Sequence, residues 1–186
     1  MNNKLFWELL EPEHPKAEAF CRKLAGDRDE GDDLYQEALV LAMSKLDALR
    51  DHTAFRPWLY RIIVNAFRSR SRRPWWRGRV RLRSEHTDVL QSDPSNQFAA
   101  RRWLERAFTA LKPEEKALIV LFEIEGWSVA EIAELHGVPI GTIKARLSRT
   151  RLKMREHIAR LLGSVDQTAK KSEAGYALPR SETATD

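Results

Sequence analysis

Apolar residues along this 186-residue chain recur at spacings of three and four, with no long apolar/polar alternation, so the pattern predicts helices throughout. Glycine and proline are sparse before Pro74, which leaves room for long helices. The first is expected from about Pro15 to Ala25, stopping near Gly26. The polar cluster DRDEGDD then offers several N-caps for a second helix from about Asp32 to Leu49. Its Tyr35, Leu39, Ala42, Leu46 and Leu49 share one face and should be core, while Asp33, Gln36, Glu37, Val40 and Ser44 lie on the other side. After a polar break, Pro57 suits the first turn of a helix reaching about Arg72, because its missing N–H would be unsatisfied there anyway. Leu59, Ile62, Ile63, Ala66 and Phe67 form its apolar side. Arg61, Asn65, Arg68 and Arg72 form a polar stripe at spacings of four, three and four.

From Arg73 to about Asn96 the periodicity gives way to Gly, Pro, Ser and charge, the signature of a linker; Trp75 and Trp76 fall inside it. Helical signal resumes at FAARRWLERAFTAL, with Phe98, Leu104, Phe108 and Leu111 as candidate core residues, and Pro113 opens the helix PEEKALIVLFEIEG. Ser128 and Glu131 match a capping box, worth about 1 kcal/mol for the cap, which fixes the start of a further short helix. Ile132 and Leu135 should face a core, Ala133 should allow a close helix contact, and Gly137 should make the left-handed stop. Ile143 and Leu147 then pack a second helix across the first, the helix-turn-helix arrangement. The expected fold is all-α, with two small helical domains at 1–74 and 97–162 joined by a flexible linker at 75–96. A polar tail at 163–186 has too few apolar residues to fold alone and is expected to be disordered.

Charge adds a function class. The formal net charge of +5 says little, but its distribution says more. Between Asp51 and Glu85 there is no acidic residue and there are ten arginines. A second one-sided run, Lys144, Arg146, Arg149, Arg151, Lys153 and Arg155 against Glu156, lies on the second helix of the helix-turn-helix. Two such elements suit a long polyanion better than a small ligand. The major groove of duplex DNA admits one helix, so Thr142, Lys144, Ala145, Arg146, Ser148 and Arg149, near its N-terminus, are placed to meet base edges. Further along, Arg151, Lys153 and Arg155 would meet phosphates.

Other chemistries find little footing. The single Cys21 cannot form an internal disulfide or a thiol-rich metal site, which fits a reducing compartment. No apolar run approaches the ~20 residues of a membrane span, and the N-terminus lacks a signal-peptide core, so a cytoplasmic protein without a membrane partner is expected. The five histidines show no ligand spacing such as HExxH, and DRDEGDD resembles a calcium loop only loosely. No enzymatic activity, metal or cofactor is expected.

DDLYQEALVLAMSKLDAL, then FRPWLYRIIVNAFRSRSRR, then a linker, then LKPEEKALIVLFEIEGWSVAEIAELHGVPIGTIKARLSRTRLKMRE resembles the extracytoplasmic-function group of bacterial RNA polymerase sigma factors, over about Ala17 to Arg160. The resemblance implies two promoter-reading domains that recruit core RNA polymerase through its clamp coiled coil and flap. It assigns clamp docking to Asp33, Gln36, Glu37 and Val40 on the outward face of the DLxQE helix. It assigns the −10 element, with a base flipped from the stack, to Asn65 and the loop near Lys45 and Leu49, and the strand backbone to Arg61, Arg68 and Arg72. Trp58 and Tyr60 are candidate stacking platforms there, with core packing the better reading for Trp58. The −35 reader is the helix-turn-helix, with Lys144, Arg146, Ser148 and Arg149 carried over. An anti-sigma factor is an implied partner. Two alternatives share the fold: a sigma mimic that sequesters an anti-sigma factor, expected to have lost basic recognition residues, and a conventional helix-turn-helix regulator, expected to bind duplex tightly alone.

Overall fold

The computed structural model describes the backbone at 3–73 and 96–175, with side chains at 3–73 and 103–163. Trp75, Trp76, nearly all of the expected linker, the side chain of Phe98 and the last part of the tail, 176–186, lie outside the described residues. Among those described, every regular element is helical: α1 Asn3–Leu10, α2 His14–Ala25, α3 Arg28–Lys45, α4 Phe55–Arg70, α5 Asn96–Thr109, α6 Pro113–Ile119, α7 Val129–His136 and α8 Ile140–Gly175.

α1 is an element the sequence reading missed. Phe6 and Leu10, one turn apart, are both fully buried, and Phe6 meets Phe55 edge-on at 6.0 Å, so this helix covers the start of α4. α2 has Pro15 in its first turn and ends at Gly26, whose φ of 76° is the left-handed conformation that lets its N–H close on Arg22 O at 2.8 Å.

α3 starts four residues earlier than expected. Asp27 caps it by accepting from Glu30 N at 3.0 Å. Gly31, in the first turn of α3, is where α2 crosses, and only a residue without a side chain fits: a Cβ would stand 2.4 Å from Arg22 Cα. Leu34, Tyr35, Ala38 and Ala42 are buried, and Leu46 follows in a 3₁₀ turn, Leu46–Ala48.

α4 carries buried residues on more than one side: Phe55, Leu59, Tyr60, Ile62, Ile63, Val64, Ala66, Phe67 and Arg70. One side packs on α2 and α3, and the other on α6 and α7. The two helical units therefore share one continuous core. Tyr60 is fully buried between Phe20 at 5.0 Å and Trp127 at 4.8 Å, so it is a core residue and not an exposed stacking platform. Trp58 packs against the core edge, 5.6 Å from Phe55.

In the second unit, α6 widens into a π-turn, Val120–Ile124, and the chain reverses at Gly126 with φ 71°. Phe108 and Leu111 pack against the core, whereas Leu104, a candidate core residue, is 41% exposed because it borders a surface groove instead. α8 runs 36 residues, about 54 Å at 1.5 Å per residue. It continues twelve residues past Gly163, where a disordered tail is expected from the sequence. That stretch has few apolar residues, but it is free of proline and contains several helix formers.

Candidate nucleic-acid interface

The helix-turn-helix forms as its local sequence dictates. Ser128 Oγ accepts from Glu131 N at 3.1 Å, and Ser128 N donates to Glu131 Oε2 at 2.7 Å, so both orphan amides at the start of α7 are satisfied. The helix stops at Gly137, φ 63°, where Val138 N closes a wider turn onto Ala133 O at 3.0 Å. α8 then opens one residue after Pro139. Ile132, Ala133 and Leu135 of α7 are buried against Ile143 and Leu147 of α8. Thr150 continues that inner stripe; it is buried because its hydroxyl donates to Arg146 O at 2.8 Å.

This packing turns the opposite side of α8 outward. Lys144, Ala145, Arg146, Ser148 and Arg149 are exposed and Thr142 is half-buried. Arg149 Nε leans on Ala145 O at 3.3 Å. The next cations are tied back to the same unit. Arg151 pairs with Glu123 at 2.6 Å and lies over the Phe122 ring, and Lys153 pairs with Glu115 at 2.7 Å. Arg155 is exposed. Lys144, Arg151 and Arg155 edge a groove of about 780 Å³ whose floor includes Leu104, Phe108, Phe122 and Met154.

On α4, Arg61 and Asn65 are exposed, as is Arg72 just beyond its end. Arg68 reaches across to the second unit, with Nε 2.8 Å from Glu114 Oε1. Burial works to raise the Glu114 pKa. Hydrogen bonds from backbone and from Arg68, with the charges of Arg68 and Arg72, outweigh it and hold the carboxyl below its usual range. Lys45 is exposed at the last turn of α3, and Leu49 is half-buried after the 3₁₀ turn.

His136 is the last residue of α7. It is half-buried, and its pKa is lowered by burial first and then by the charges of Arg146, Arg68 and Arg61. Burial is the largest of these causes, and the cations add to it from both α4 and α8. Nothing in the local sequence marks this, because it depends on how α4 meets α7.

On α3, Asp33, Gln36 and Val40 are exposed, Val40 by 69%, and Glu37 is half-buried. Behind them lies Arg70, which the stripe reading of α4 passed over. Its guanidinium sits 2.8 Å from Glu30, 3.3 Å from Asp33 and 3.6 Å from Glu37, and Arg73 adds a second contact to Glu37 at 3.7 Å. The signal for it was the run of carboxylates at 30, 33 and 37, which share a helix face and require a cation.

Comparisons with known proteins agree with this layout. The Sigma-70 region 2 model matches residues 9–77, and the Sigma-70 region 4 model matches residues 101–154. The chain is 30% identical over 172 residues to the ECF RNA polymerase sigma factor SigE of Mycolicibacterium smegmatis, covering 88% of this chain and 65% of that protein. It is 30% identical over 159 residues to the ECF RNA polymerase sigma factor SigM of Mycobacterium tuberculosis, covering 85% of this chain and 77% of that one. Among solved structures, the sigma factor RpoE from Bartonella quintana, in complex with the anti-sigma factor NepR, superposes with a TM-score of 0.59 at 28% identity. That match covers 84% of this chain and 98% of RpoE. A region 2 unit followed by a region 4 unit, in that order and over most of the length, places this chain in the extracytoplasmic-function family of RNA polymerase sigma factors.

Proposed function

We propose that this sigma factor binds core RNA polymerase and directs promoter-specific initiation, with α8 reading the −35 duplex and α4 engaging the melted −10 strand. The observation that carries the reading is the exposed Lys144, Ala145, Arg146, Ser148 and Arg149 face of a braced helix in a chain matched by both sigma regions. Arg146 and Lys144 carry donors of the kind that meet guanine, at about 1–3 kcal/mol of discrimination for a bidentate pair. Asn65 supplies an amide for a flipped base, and Arg61, Arg68 and Arg72 supply strand contacts that offset part of the cost of opening.

Polymerase docking falls to Asp33, Gln36, Glu37 and Val40 on α3, against the clamp coiled coil. The apolar groove beside α8 suits the flap. An anti-sigma factor is the expected regulator, as in the complex formed by the similar RpoE.

Run-off transcription with core polymerase on a panel of promoters tests the reading. Initiation from a defined subset of promoters, dependent on this chain, is the expected result. Tight duplex binding by the isolated chain, with no promoter-directed initiation in the presence of core enzyme, would overturn it.

A further inference from the structure

We infer that Arg70 is a positioning residue for polymerase docking: from α4 it fixes the carboxylates of α3 that face the clamp. This rests on the proposal that Asp33, Gln36, Glu37 and Val40 form the docking surface. Arg70 is 6% exposed, the only charged side chain so deeply buried among the described residues. Its Nη2 is 2.8 Å from Glu30 and 3.3 Å from Asp33, and its Nη1 is 3.6 Å from Glu37.

The three carboxylates stand at i, i+3 and i+7 on one face of α3. Without a cation between them, neighbours one turn apart repel, and their side chains swing apart into solvent. A planar guanidinium with two terminal nitrogens holds all three in one geometry, which an ammonium, a point charge, cannot do. Burial is graded along the row. Glu30 has a side chain 13% exposed and serves as the inner anchor, Glu37 is 29% exposed, and Asp33, at 63%, presents itself to solvent. Arg70 thus holds the inner ends of a surface whose outer ends are free for a partner. It sits five residues beyond Asn65 on the same helix, so the docking face and the −10 stripe are referred to one rigid element.

The test measures affinity of the full chain for purified core polymerase alongside its thermal midpoint. Arg70→Gln should weaken core binding about ten-fold and lower the midpoint, since it removes the cation that Glu30, with a side chain 13% exposed, shares with Asp33 and Glu37. Arg70→Lys keeps the charge and loses the fork. It should hold the midpoint near that of the parent and still lose several-fold in affinity. The pair Arg70→Gln with Glu30→Gln removes one charge of each sign; its affinity should stay low because Asp33 loses its anchor and Glu37 keeps only Arg73, at 3.7 Å. Affinity that follows the midpoint across these variants, or parent-like core binding by Arg70→Gln, would overturn the positioning role. The underlying docking surface has its own control. Val40→Asp places a charge on that face without touching Arg70, and parent-like core binding by this variant would remove the surface itself, and Arg70's role with it.

Discussion

α4 and α8 both carry a row of cations, and their surroundings treat those rows differently. On α4, Arg56 lies over the Trp127 ring at 4.5 Å and within 4.0 Å of Glu13 and Glu131. Arg68 is paired with Glu114 and Arg70 is enclosed by three carboxylates, which leaves Arg61 as the exposed cation of the helix. In the first two turns of α8, Lys144 and Arg146 are exposed, and no carboxylate among the described residues pairs with them. Arginine density alone therefore does not single out a candidate nucleic-acid surface, because packing answers most of the α4 cations. The α4 pairs also differ in what they can yield. The Arg68–Glu114 pair, with side chains 38% and 45% exposed, is of the kind worth about 0–1 kcal/mol and can be exchanged for a phosphate. The buried Arg70 cannot be withdrawn without leaving carboxylates behind.

The contrast breaks most sharply at Trp127. This residue is 3% exposed and lies between Tyr60 and Arg56, so it joins the units and answers one of the α4 arginines. Trp127→Ala should cost about 3–5 kcal/mol of stability, read from the denaturant midpoint. A loss under about 1 kcal/mol would mean that the α4 row is not held by this contact. On the unanswered side, Arg146→Ala should leave the thermal midpoint unchanged and relax discrimination at one upstream base pair by about 1–3 kcal/mol. Binding to a set of single-base promoter variants measures this. A uniform loss on every sequence would reassign Arg146 to phosphate.

Local signals carried the helix-turn-helix: Ser128, Glu131, Ala133 and Gly137 are within ten residues of one another, and each does its work with near neighbours. The apolar stripes of α3 and α4 were likewise legible, because a helix displays its period in one dimension. Features that depend on a second helix were not. Gly31, in the first turn of α3, leaves room for α2 to cross, and Tyr60 is enclosed by Phe20 of α2 and by Trp127, far along the chain. Leu104 looks like core and lines a groove because packing between α5 and α8 stops short of it. Arg70 also depends on a second helix: the carboxylates on α3 signal a cation, but that it comes from α4 follows only from how the two helices pack.

The smallest expected effect is a dependence on pH where the two rows meet. His136 is half-buried, and Arg146 of α8 and Arg68 and Arg61 of α4 all act against its protonation. Its folded-state pKa is therefore below the ordinary 6.5, while in the unfolded chain the imidazole takes up a proton near that value. Between the two values the unfolded state binds more protons, so stability rises with pH through that window and falls as the solution is acidified from 6.5. The slope is at most about 1.4 kcal/mol per pH unit for one proton. Glu114 and Glu115, whose pKa values are also lowered from 4.5, add their loss only at more acid pH. His136→Gln keeps a polar group and removes the titration. The parent should lose stability relative to this variant between pH 6.5 and 5, and the two curves should run parallel above 7. Parallel curves across the whole range would show that neither burial nor the cations of α4 and α8 hold the His136 pKa below its ordinary value in solution.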